Sequence, residues 1–190
     1  MTDILIKNGR IIDPAAGRDQ TGDILIRNGK ITDAAPAKDA TTIDAEGLVV
    51  CPGFVDLHCH LREPGDEDKE TIVTGTQAAA RGGYTTVCCM PNTNPPLDTA
   101  GAIEYVIEKA ARADTVRVLP IGCITRGRQG QGITEMAELK RAGAVALSDD
   151  GLPASTSELM QMALEYAGGL GLPLMEHCED LSLTRGAQMN

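Results

Sequence analysis

Two rhythms of apolar and polar positions divide the chain. Over the first fifty residues, β-branched runs alternate with polar positions and break at Asn-Gly. Asp3-Ile4-Leu5-Ile6-Lys7-Asn8-Gly9-Arg10-Ile11-Ile12-Asp13 returns twenty residues later as Asp23-Ile24-Leu25-Ile26-Arg27-Asn28-Gly29-Lys30-Ile31-Thr32-Asp33, identical at eight of eleven positions. Asn-Gly tolerates positive φ and suits a two-residue hairpin turn. The segment therefore predicts a small sheet of two hairpins, with further strands near 42–43 and 48–51. Two copies are too few for a solenoid. Such a sheet has little core of its own and needs something to pack on.

From Pro52 onward, short apolar runs alternate with helical stretches. Strands are predicted at 54–58, 84–90, 115–121, 143–148 and 172–176, a spacing of about thirty residues, the length of one βα unit. Between them, 70–81 reads as a helix ending at Gly82-Gly83. Residues 99–112 follow Asp98 as N-cap and align Ile103, Val106, Ile107 and Ala110 on one face. A third helix, 134–142, starts from Thr134. A fourth, 156–167, opens on Ser155-Thr156-Ser157-Glu158 and stops at Gly168-Gly169. Met160 and Met162 read as packing residues of that helix. Repeated βα units imply a parallel sheet. A doubly wound five-stranded sheet would be complete with these strands, whereas a (β/α)8 barrel needs ~250 residues and 52–190 supplies 139. Length favours the open sheet.

Composition narrows the class. With 42% apolar residues the 190-residue chain can bury a core, and disorder is excluded. Seventeen basic and twenty-seven acidic residues give a net charge of -10, which repels nucleic acid and anionic lipid. No run approaches the ~18 apolar residues of a membrane span. An acid at Asp3, where a secretory leader is basic, makes the chain read as cytoplasmic. Cys51, Cys59, Cys88, Cys89, Cys123 and Cys178 form no C-x-x-C pair and read as reduced thiols.

The chemistry collects at strand ends and argues for the barrel. In Phe54-Val55-Asp56-Leu57-His58-Cys59-His60-Leu61-Arg62, positions i and i+2 share a face, so His58 and His60 project together and Cys59 points away. Two imidazoles ~7 Å apart at a strand end can converge on one zinc; the bland alternative is a chance pair of surface histidines. His177, the third and last histidine, closes the strand predicted at 172–176, and Asp149-Asp150 closes the one before it. The C-terminal ends of strands are where parallel α/β folds build sites, and imidazole with carboxylate suits zinc or a similar divalent ion. Arg62 and Asn92 fall at the same level, the first with a planar fork suited to a carboxylate. Gly127-Arg128-Gln129-Gly130-Gln131-Gly132 lacks the lysine of a phosphate loop and reads as an exposed loop.

Pro52-Gly53-Phe54-Val55-Asp56-Leu57-His58-Cys59-His60-Leu61-Arg62-Glu63-Pro64-Gly65 resembles the first barrel strand of dihydroorotases, in the amidohydrolase superfamily. Lys69-Glu70-Thr71, Gly82-Gly83-Tyr84-Thr85-Thr86-Val87, Met90-Pro91-Asn92-Thr93, Ser148-Asp149-Asp150-Gly151 and His177-Cys178-Glu179 match in order. H-x-H is shared across the superfamily, and H-L-R-E-P-G with M-P-N narrows the resemblance to dihydroorotases. Hydantoinases usually place a carboxylated lysine after the fourth strand; Asp149-Asp150 stands there instead, as in the longer bacterial dihydroorotases. The resemblance implies a TIM-type (β/α)8 barrel, of which about five βα units fall within 52–190, with 1–51 part of a small β-sandwich. It implies one or two zinc ions, His58 and His60 on the first, Asp150 bridging and His177 on the second. Arg62 and Asn92, with His60 nearby, would hold the substrate carboxylate.

The implied reaction interconverts N-carbamoyl-L-aspartate and L-dihydroorotate in pyrimidine synthesis. A dihydroorotase also carries a later histidine and a general-base aspartate, which are expected beyond residue 190. The chain is therefore expected to be a portion of a longer protein and weakly active or inactive alone, the full protein a homo-oligomer. Two alternatives are a non-catalytic subunit scaffolding aspartate carbamoyltransferase and a cyclic amidase of hydantoinase type. The fallback, a flavodoxin-like domain, needs no metal.

Overall fold

The computed structural model describes residues 3–184. The chain forms two compact units, Met1–Gly53 and Phe54–Asn190. No helix among the described residues is long and apolar enough to cross a membrane.

The first unit is a five-stranded mixed sheet of β1 (Ile4–Asp13), β2 (Arg18–Arg27), β3 (Lys30–Thr32), β4 (Thr41–Asp44) and β5 (Val49–Val50). The order is β3-β2-β1-β4, and β5 also pairs with β1. The sequence repeat pairs with itself antiparallel, Leu5 opposite its own copy Leu25. Only one of the two Asn-Gly pairs makes a hairpin. Asn28-Gly29 turns β2 into β3, while Asn8-Gly9 lies inside β1 as an irregularity in its pairing with β2. Both asparagines adopt positive φ, 62° and 53°, so the dipeptide sets the local conformation and the partner strand decides whether the chain reverses. Asn8 is held by Asp23 Oδ1, which accepts from its backbone N–H at 2.9 Å, and by Asp44 Oδ1, which accepts from its amide at 3.0 Å.

The second unit alternates β6 (Phe54–Cys59), α1 (Ile72–Arg81), β7 (Tyr84–Cys89), α2 (Ala100–Ala113), β8 (Arg117–Gly122), α3 (Met136–Ala142), β9 (Ala146–Leu147) and α4 (Ser157–Leu170), and ends in the short α5 (Leu181–Thr184). All strand pairs are parallel, in the order β6-β7-β8-β9. A doubly wound sheet reverses its strand order at a switch point; this one never does. Successive right-handed crossovers in one direction leave the helices on one face, the winding of a barrel. The fold is a partial (β/α)8 barrel, and the open-sheet reading that length alone favoured is wrong.

Local chemistry explains most element ends. Thr71, Thr99 and Thr156 cap α1, α2 and α4, their side chains accepting from the N–H groups of Thr74, Ala102 and Leu159. Asp98, the expected cap of α2, instead accepts from Gly127 N–H at 2.8 Å. Thr134 does not open α3; its hydroxyl donates to Cys123 O at 2.8 Å, and the helix starts at Met136. The Gly168-Gly169 pair fails to stop α4, which runs on to a left-handed Gly171 at φ 68°. Met162 faces solvent, whereas Met160 is half-buried. The predicted fourth strand shrinks to Ala146–Leu147, because Gly143 is spent as the left-handed cap of α3. The fifth shrinks to one parallel bridge between Leu147 and Leu174; Pro173 within it has no N–H to give a ladder.

Two apolar clusters flank this sheet. Val87, Cys89, Val118 and Leu147 pack against Ile72, Ile103, Val106, Leu139 and Ala163 on the helix side. On the other side Cys88, Met90, Ile121 and Ala146 form a smaller cluster, covered by Leu119, Val145 and Met175. Edge strand β6 leaves Phe54, Val55 and Leu57 exposed. Burial pushes the Cys59 and Cys89 thiols up to about 12 and raises those of Cys88 and Cys123. A thiol reagent at neutral pH should therefore label only Cys51 and Cys178, both exposed, the other four reacting after denaturation. Rapid labelling of more than two thiols in the native chain would show this packing to be wrong.

Candidate metal centre

The strand ends of the second unit carry the chemistry. Cys59 packs with the helix-side core, so strand alternation turns His58, and His60 just beyond the strand, toward the opposite face. Asp150 follows β9, the far edge of the same sheet. In a flat sheet β6 and β9 would lie ~14 Å apart, yet His58 Nε2 stands 3.0 Å from Asp150 Oδ1, and His60 Nδ1 3.9 Å from Asp150 Oδ2. Curling of the sheet makes that contact.

A ring nitrogen from each histidine and an Asp150 oxygen all lie within 4.8 Å of one another. Donors bound to one zinc at ~2.0 Å sit ~3.3 Å apart in a tetrahedral arrangement, so the His58–Asp150 pair is already at that spacing. Asp150 is 11% exposed, and the ion pairs of its carboxylate are with these two histidines, not with a lysine or arginine, among the described residues. A nearly buried carboxylate facing two imidazoles is a donor set that suits zinc.

Asn92, on the loop after β7, brings its Oδ1 to 2.9 Å from His60 Nδ1. The amide thus contacts the same ring nitrogen that stands 3.9 Å from Asp150 Oδ2, and it orients the ring. Sequence reasoning placed Asn92 near a substrate and missed this orienting role. His177 is not brought into the group. It is exposed on the segment after the Leu174 bridge, and its Nε2 lies 3.0 Å from Glu179 Oε2.

Arg62 projects from a tight loop at φ 58°, an uncommon conformation for a residue with a Cβ. The loop is clamped on two sides. Asn94 N–H donates to Pro64 O at 2.9 Å, and Gly65 (φ 100°) lies so close that a Cβ there would sit 2.0 Å from Asn94 O. Glu63, buried, accepts from Ile72 N–H at 2.9 Å, from the Tyr105 hydroxyl at 3.0 Å and from Lys109 Nζ at 3.0 Å. Burial raises the Glu63 carboxyl, but these donors outweigh it and hold the group below its ordinary value. Tyr105 and Lys109 lie 42 and 46 positions from Glu63, and no local sequence pattern joins them to it.

Asp149 is buried beside Asp150 and serves differently. Its carboxylate accepts from Ile124 N–H at 2.9 Å, from Thr125 N–H at 3.0 Å and from the Thr125 hydroxyl; burial pushes its pKa up against those bonds. The glycine-rich loop is not merely exposed, since Gly130 is buried and Arg128 half-buried.

A family model described as Dihydro-orotase-like matches residues 47–190. The chain is 50% identical over 191 aligned positions to the dihydroorotase of Citrifermentans bemidjiense and 52% identical to that of Geobacter sulfurreducens, in each case covering 98% of this chain and 45% of the relative. The chain thus spans about half the length of the curated relatives it matches. Among solved structures, the L-hydantoinase (dihydropyrimidinase) of Arthrobacter aurescens superposes with a TM-score of 0.81 at 24% identity, over 98% of this chain and 43% of that one; at that identity the likeness speaks for the fold.

The Glu63 clamp gives a test of stability. Its depressed folded pKa means that the stabilisation is full above the ordinary glutamate range and lost as pH falls through the folded value. Glu63→Gln should cost about 1–3 kcal/mol at neutral pH and weaken the acid dependence of the urea midpoint. An unchanged midpoint and an unchanged acid limb would contradict the clamp.

Proposed function

The chain belongs to the dihydroorotase-like family, and on that premise we propose that it carries the metal-binding portion of a zinc-dependent cyclic amidohydrolase that interconverts N-carbamoyl-L-aspartate and L-dihydroorotate. The observation that carries this reading is the convergence of His58, His60 and Asp150 from opposite edges of a curled parallel sheet.

In this reading one ring nitrogen each from His58 and His60, with the Asp150 carboxylate, holds the ion. A bound zinc would supply Lewis acidity at the ring carbonyl. Asn92 orients the ring of His60 through its contact at Nδ1. Arg62, two positions beyond His60, would hold the substrate carboxylate, its loop held by Glu63 and the Asn94 contact. His177 belongs to the proposal by its motif and strand-end position; a second ion there would displace the Glu179 contact seen at its Nε2.

The hydantoinase-type alternative shares the fold, and Asp150 in place of a carboxylated lysine speaks against it. The scaffold alternative gives no reason for imidazoles and carboxylate to converge. A homo-oligomeric assembly, a carbamoyltransferase partner and a cytoplasmic setting extend the same reading, and co-purification from the source cell tests the partner.

Zinc titrated into the metal-free chain should bind, and His58→Ala or Asp150→Asn should weaken it by at least ~100-fold, beyond the 10–100-fold typical of outer-shell changes. Opening of L-dihydroorotate by the full-length protein, abolished by a chelator and restored by zinc, should fall with the same substitutions, while Arg62→Met should raise KM more than it lowers kcat. Zinc binding indifferent to both substitutions, or a preference for hydantoin rings over dihydroorotate, would overturn the proposal.

A further inference from the structure

We infer that Arg128 is a positioning residue for Asp150: it braces the turn that carries the proposed metal-binding carboxylate. The inference rests on the reading of Asp150 as a ligand. Asp150 sits at φ 32°, a conformation a non-glycine residue holds only when its surroundings impose it. Its N–H donates to Ser148 Oγ at 3.0 Å. The two carbonyls of the turn are taken by one guanidinium: Arg128 Nε donates to Asp149 O at 2.8 Å, and Arg128 Nη2 donates to Asp150 O. A planar fork can hold two successive carbonyls at once, whereas a single ammonium is a point donor.

The fork is itself anchored. Arg128 adopts φ 56° within the glycine-rich loop after β8, and its N–H donates to Thr125 O at 3.0 Å. Gly130 N–H donates to Thr125 Oγ1 at 3.0 Å, and Arg126 N–H closes the loop on Gly132 O at 2.9 Å. Thr125 is in turn bound by the Asp149 carboxylate. The loop and the turn therefore grip each other twice, by a side-chain carboxylate in one direction and a guanidinium in the other. Asp149 and Asp150 divide the labour, the first locking the loop and the second facing His58 and His60. The guanidinium bonds to backbone carbonyls of the turn and leaves the Asp150 carboxylate available for an ion.

The test is metal binding by the 190-residue chain, with Co2+ as a visible probe and zinc measured by competition with a chelator. Arg128→Met should weaken both metals 10–100-fold and change the Co2+ absorption band, at a thermal midpoint that does not account for the loss. Arg128→Lys should recover part of the affinity. Arg126→Met, which removes an exposed pairing with Glu135 on the same loop, should bind as the unsubstituted chain does. Wild-type affinity and an unchanged band in Arg128→Met, or an equal loss in Arg126→Met, would overturn the inference. If Arg128→Met does not fold, wild-type affinity in Arg128→Lys overturns it and a weakened affinity supports it. The underlying reading fails separately: the unsubstituted chain would then bind neither metal, or His58→Ala would bind both unchanged, and the inference would fall with it.

Discussion

Everything at the candidate site depends on curvature. His58 lies on one outermost strand of a four-stranded parallel sheet and Asp150 follows the other, and they touch because the sheet bends its edges toward each other. Repeated crossovers of one hand put the helices on one face, where Ile72, Ile103, Val106 and Leu139 are fully or almost fully buried. The opposite face carries the smaller cluster of Cys88, Met90, Ile121 and Ala146. A site assembled in this way requires both edge strands in register with the two between them.

Curvature brings the groups near, and the loops then aim them. Arg62 and Asp150 both hold positive φ next to the histidines, and each is secured by a neighbouring buried carboxylate, Glu63 and Asp149 respectively. In each case the carboxylate accepts backbone N–H groups from another element, one at the start of α1 for Glu63 and two in the loop after β8 for Asp149. Local conformations that would be unfavourable in isolation persist where surrounding bonds over-determine them. The repeated use of a buried acid beside a residue at positive φ is a single structural device applied twice.

Much of this was legible in the sequence, for physical reasons. The parity of His58 and His60 about Cys59 follows from strand alternation, and the acids after β9 were legible from the end of a short apolar run. Winding was not, because an open sheet and a barrel share the same βα rhythm; strand order separates them and is a non-local property. The Asn-Gly pairs promised two hairpins, yet the partner strand made one of them a bulge. The strand predicted at 172–176 was overestimated because Pro173 removes a donor that an apolar count ignores. The bonds of Arg128 to the 149–150 turn and of Glu63 to α2 join residues 21 to 46 positions apart, and no periodicity announces them. His177 shared the right strand-end position, but an adjacent Glu179 competes for its ring nitrogen.

The most direct test of the central claim is an X-ray absorption spectrum of the zinc-loaded chain. Six cysteines offer sulfur as an alternative to the imidazole and carboxylate donors, and the two differ in bond length, ~2.3 Å for Zn–S against ~2.0 Å for nitrogen and oxygen. The account predicts a shell of nitrogen and oxygen at ~2.0 Å, with multiple scattering from two imidazoles that falls to that of one in His58→Ala. A sulfur shell at ~2.3 Å, or a spectrum that His58→Ala leaves unchanged, would contradict it.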